Sequence, residues 1–131
     1  MQRLLDTYTI LAADVSATYA GRGYNPASGQ WLTVSGTNLG SSRRTKYRLL
    51  DSDIIVQTAA GAFRQGILVS TFVLHDPTNP SVATPWYQGV CGRGKFVFWH
   101  GNVEMDCGFF WRIHPGGLVA GDVVMLGVGY E

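Results

Sequence analysis

From Val103 to Ile113, apolar side chains fall on every second position: Val103, Met105, Cys107, Phe109, Trp111 and Ile113. The positions between them hold Glu104, Asp106, Gly108, Phe110 and Arg112. Successive side chains on a strand point to opposite sides, so this period of two predicts an extended strand with one face on a core. Phe96 to His100 precedes it, and Gly101-Asn102 separates the two runs. Such a pair accepts the positive φ angles of a tight turn, so Lys95–Ile113 is predicted to be a β-hairpin. In that register His100 faces Val103, Phe98 faces Met105 and Phe96 faces Cys107, all on the core side. Trp99, Val97 and Phe110 are left on the polar side.

The same reading gives strands at Thr7–Ala12, Trp31–Ser35, Lys46–Leu50, Asp53–Thr58 and Val123–Tyr130, with Asp51-Ser52 as a turn. Gly66–Leu74 is apolar on both parities, as expected of a strand covered on both faces. Ala13–Gly29 reads as turn-rich. The segment His75–Gly94 holds Pro77, Pro80 and Pro85, which predict a stiff, extended arm rather than a floppy loop. In the last strand, Gly127 and Gly129 share a face and leave room for an aromatic ring or another backbone. No segment sustains a helical period. The expectation is an all-β chain: an antiparallel β-sandwich, jelly-roll-like, one domain over 1–131, with a long loop before a central aromatic hairpin.

Composition narrows the function classes. Charged residues make up 15% of the 131 positions, against roughly 25% in soluble domains, so part of the surface is expected to be covered by something else. The net charge of +1 provides no global field toward nucleic acid or membrane. No apolar run is long enough to span a bilayer as a helix. Asp6 and Asp14 interrupt the apolar start, which therefore does not read as a signal peptide. Cys91 and Cys107 are not opposite one another in the predicted hairpin, so two reduced core thiols are expected rather than a disulfide.

No catalytic or cofactor motif stands out. Gly89 to Lys95 fits the first seven positions of a phosphate-binding loop, but Phe96 replaces the magnesium-binding hydroxyl and a strand follows instead of a helix. His75, His100 and His114 lack the spacing of metal-ligand pairs. Glu104 and Asp106 share a strand face, and cross-strand pairing with Lys95 accounts for them better than catalysis does. No cofactor or metal is expected. Arg43, Arg44, Lys46 and Arg48 form the one basic cluster, a candidate electrostatic contact, with nucleic acid less favoured than a charged edge strand. Trp86, Tyr87, Trp99 and Phe110 are surplus aromatics and the candidate assembly interface, because large rings bury much area at low entropic cost.

In size, strand content and the ending Ala120-Gly121-Asp122-Val123-Val124-Met125-Leu126, the chain resembles the small β-sandwich decoration (cement) proteins of phage capsids. That resemblance implies a non-enzymatic structural protein located in the virion and made in the host cytoplasm. Its partners would be itself, as a trimer or dimer, and a larger assembly such as a capsid shell. A carbohydrate- or receptor-binding β-sandwich module is the alternative.

Overall fold

The computed structural model describes residues 2–17, 20–26, 29–33, 47–74, 83–92, 96–105 and 108–131, less the side chains at 25, 30, 32, 33, 73, 74, 83–86 and 105. The described elements are β1 (Gln2–Thr9), α1 (Ala12–Ser16), β2 (Ala20–Asn25), β3 (Gln30–Thr33), β4 (Tyr47–Gln57), β5 (Leu68–Leu74), β6 (Ala83–Val90), β7 (Val97–Met105), β8 (Gly108–Ile113) and β9 (Val123–Tyr130). They form two antiparallel sheets, ordered β1-β9-β4-β7 and β3-β2-β8-β5-β6. The all-β expectation holds.

The pairing is nested. The first strand meets the last, β2 meets β8, β4 meets β7, and β5 meets β6. Ladders from β9 to β4 and from β8 to β5 complete each sheet, and β3 adds an edge strand to β2.

Both sheets turn one apolar face inward onto a shared core. Leu49, Ile54, Val56, Val124, Leu126 and Val128 come from the four-stranded sheet; Tyr24, Val69, Phe109, Trp111 and Ile113 come from the other. Trp111 is fully buried, stacked on Trp31 with ring centroids 5.9 Å apart and set edge-on to Phe109 at 4.9 Å. Its Nε1–H donates to Ser52 Oγ at 2.5 Å, so one hydrogen bond spans the core from sheet to sheet. A buried donor needs such a partner.

The predicted aromatic hairpin does not form. β7 runs straight through Gly101-Asn102 and pairs with β4, whereas β8 lies in the opposite sheet. Leu49 pairs with Val103 and Asp51 with His100, so Gly101 and Asn102 together oppose Leu50 alone. The turn-like pair is a β-bulge, which two residues facing one produce. Glycine is needed there because the Trp99 ring lies 2.7 Å from where a Cβ at Gly101 would sit. A second irregularity leaves Phe98 without a partner, so Phe98 and Trp99 both pack toward the core while Val97 stands outward.

Other boundaries also shift. Asp51-Ser52 is no turn; it sits mid-strand in β4, whose polar pair is occupied by an ion pair and by the Trp111 bond. The first strand begins at Gln2 and stops at Thr9, followed by α1, whose five residues are too few to show a period. β2 crosses the segment read as turns; its Gly21 and Gly23 sit opposite Arg112 and Phe110, where a missing side chain leaves large neighbours room. The predicted arm contains β6, with Pro85 opposite Phe72 next to a register shift on an edge strand, a place where proline is tolerated. Cys91 is a buried free thiol, its ionisation pushed up to about 11 by burial. Cys107 lies outside the described residues.

Ser52→Ala should leave the Trp111 N–H buried without an acceptor and lower stability by about 1–3 kcal/mol. Urea titration followed by tryptophan fluorescence checks this; an unchanged midpoint would mean the bond contributes nothing.

Candidate functional site

The outward face of the four-stranded sheet is built in rows set by register. Arg3, Gly129 and Asp51 form one row, Leu5, Gly127 and Asp53 the next, and Thr7, Met125 and Ile55 the third. Residues in register share a face, so in the first two rows a glycine stands between the side chains of β1 and β4.

Arg3 reaches across that gap. Its Nη1 donates to Asp51 Oδ2 at 2.9 Å and its Nη2 to Asp53 Oδ2 at 2.8 Å, tying β1 to β4 over the top of β9. The glycines make this possible. A Cβ at Gly129 would stand 2.6 Å from Asp51 Oδ2, and one at Gly127 would stand 2.9 Å from the Phe96 ring and 3.0 Å from Asp53 Oδ2. The ring expected against a glycine of the last strand is that of Phe96.

Asp53 is fully buried and Asp51 nearly so. Burial, then the charge of Asp51 and a hydrogen bond with it, push the Asp53 carboxyl up to about 7, with Arg3 opposing. The Oδ1 atom of each aspartate lacks a hydrogen-bond partner among the described groups. The pair is a sealed clamp rather than an open carboxylate site.

Beside the clamp the same face becomes apolar. Leu5, Thr7, Ile55, Phe63, Phe96 and Met125 line a groove of about 380 Å³. Leu5 is 69% exposed, Val97 57% and Phe63 43%. Phe63 is held by its neighbours: its backbone bridges to Gln57, and the Arg64 N–H donates to Val56 O at 2.8 Å. The Arg64 guanidinium forks onto Asp122 at 2.5 and 3.0 Å. Burial raises the Asp122 carboxyl, but that fork and the Val119 N–H outweigh it and hold the group below its ordinary range.

Of the four aromatics expected at an interface, Tyr87, Trp99 and Phe110 have described side chains, and these three do not make one surface. Phe110, expected to face a partner, is buried within the chain, stacked on Phe72 at 4.9 Å on the outer face of the five-stranded sheet. The Arg112 guanidinium lies 4.4 Å from the Phe72 ring. Trp99 packs against the core of the other sheet. Tyr87 on β6 is half-exposed and meets Phe98 edge-on at 5.0 Å. The Trp86 side chain lies outside the described residues, though its backbone is in β6.

Arg43, Arg44 and Lys46 also lie outside the described residues. Arg48 is exposed on β4, with Glu104 opposite on β7, a cross-strand charge pairing different from the expected one with Lys95. The residues resembling a phosphate loop continue β6 into Gly89 and Val90. His100 lies opposite Asp51, and His114 Nε2 is 3.4 Å from Ser70 Oγ. Among the described residues no three metal-ligating side chains gather. No family model, no curated protein and no solved structure matches the chain.

The sign of the pH dependence follows from Asp53. Between the ordinary carboxyl value of 3.8 and about 7 the folded chain holds a proton that the unfolded chain has lost. Stability from this group is therefore full below the lower value and declines as pH rises to the upper one. Asp53→Asn should shrink the fall in Tm between pH 4.5 and 7.5, measured by calorimetry. A slope identical to that of the parent protein would show that Asp53 ionises normally.

Proposed function

We propose that the chain is a non-enzymatic structural protein of jelly-roll type that associates with copies of itself and docks on a larger protein shell, as a capsid decoration protein of a virion does. The jelly-roll reading is supported by the nested pairing. With β3 set aside, eight strands pair first with last and inward to the tip, and they divide into two four-stranded layers. Fold alone does not assign function, so the surface has to carry the rest.

The carrying observation is the outward face of the four-stranded sheet. A sheet with one face on a core ordinarily turns polar side chains to water on the other. Here that face presents the Leu5–Phe63–Phe96–Met125 groove and exposed Val97, and its two acids are sealed away beneath Arg3. An apolar patch on a sheet face marks an association surface.

Light scattering on the purified chain should give an oligomer at micromolar concentration. Val97→Glu and Phe63→Glu should each weaken self-association or docking about tenfold, the effect of roughly 1.4 kcal/mol at a contact. Tm should stay close to the parent value, since both residues are exposed. A strictly monomeric chain with measurable affinity for a glycan would overturn this reading in favour of a carbohydrate-binding module.

A further inference from the structure

Resting on that assembly reading, we infer that two copies join through β1, edge to edge and antiparallel, so that their four-stranded sheets become one continuous sheet about a twofold axis. β1 is an edge strand, bonded on one side to β9 over eight residues without a register shift. Among the described residues no other backbone group bonds to it. Its outward residues Arg3, Leu5, Thr7 and Thr9 are all exposed. It carries no proline, lysine or bulge, and its two charges are engaged within the chain, Arg3 by Asp51 and Asp53 and Asp6 by Arg22 at 3.9 Å. Leu5, at its middle, is the most exposed large apolar residue among those described.

The sequence of β1 selects the second copy and the register. A twofold axis normal to the sheet keeps outward side chains with outward ones, so each possible pairing is centred on one residue meeting its own copy. Centred on Arg3 or on Asp6, like charges stand face to face, which is destabilising. Centred on Leu4, the residues from Thr7 to Thr9 find no partner within β1. Centred on Thr7, those from Gln2 to Leu4 find none.

Centred on Leu5, Arg3 meets Thr7, Leu4 meets Asp6 and Gln2 meets Tyr8. This register avoids direct like-charge contacts, pairs as much of the strand as the Asp6-centred one, and pairs more of it than those centred on Leu4 or Thr7. It also brings the two Leu5 side chains together on the outer face. Each Leu5 lines its own groove, so the two grooves become continuous across the axis. The clamp from Arg3 to Asp51 and Asp53 holds the edge strand in place for this.

Leu5→Cys decides the matter. Directly opposite residues of an antiparallel pair stand about 4.5–5.5 Å apart at Cα, within the range a disulfide spans. Mild oxidation of Leu5→Cys should give a covalent dimer on a non-reducing gel. Leu11→Cys, at a residue equally open to solvent but beyond β1, should not. Light scattering on the parent chain is read alongside. An oligomer in which Leu5→Cys fails to cross-link overturns edge pairing and leaves the assembly reading standing. A monomer at every concentration overturns both.

Discussion

The four-stranded sheet depends on its last strand. β9 lies between β1 and β4, so the first strand joins that sheet only through β9. Inward it supplies Val124, Leu126 and Val128 to the core; outward it supplies the two glycines that let Arg3 reach the aspartates. Tyr130 at its end shares a hydrogen bond with Tyr24 of the opposite sheet, 3.3 Å between hydroxyls. The nesting places sequence-distant segments in most of the ladders, with β2–β3 and β5–β6 the exceptions, and loop closure must precede any gain from such pairing. Cooperativity is built in, because no pair of neighbouring strands makes a core by itself.

Two kinds of side chain share the outer face of that sheet, and they behave oppositely. Carboxylates in water are cheap, yet here they are buried; leucine, valine and phenylalanine in water are costly, yet here they are open. Burying Asp51 and Asp53 is tolerable because the Arg3 fork meets one oxygen of each and burial shifts the Asp53 carboxyl toward its neutral form. No such compensation exists for Leu5 or Val97 within the described chain. The asymmetry separates a part of the surface that is internally complete from a part that is not.

Sequence period alone revealed the all-β, antiparallel character of the chain, the core parity of Phe109, Trp111 and Ile113, and the close packing at Gly127. It misplaced the chain wherever one residue type serves two geometries. Gly101-Asn102 marks a bulge as readily as a hairpin, and only the strand lying opposite distinguishes them. Asp51-Ser52 looks like a turn because those residues usually bond their own backbone; here each has a partner far along the chain. Gly21 and Gly23 of β2 look like turn punctuation and Pro85 of β6 like part of a stiff arm, although a large neighbour or an edge position admits each within a strand. The apolar groove was hidden for a different reason. Leu5 and Thr7 belong to a strand whose two parities both mix polar and apolar residues, and Phe63 sits outside any strand.

The paired glycines and aspartates have a consequence for how this sequence can change over generations. Position 129 cannot gain a side chain while position 51 keeps its carboxylate there, and the same holds for 127 with Asp53 and Phe96. Loss of either acid would leave the arginine of the first strand with half its anchorage; loss of Asp51 would also free position 129, whereas position 127 would stay restricted by Phe96. These residues should therefore drift as linked sets, substituted together or not at all, even though they are far apart along the chain.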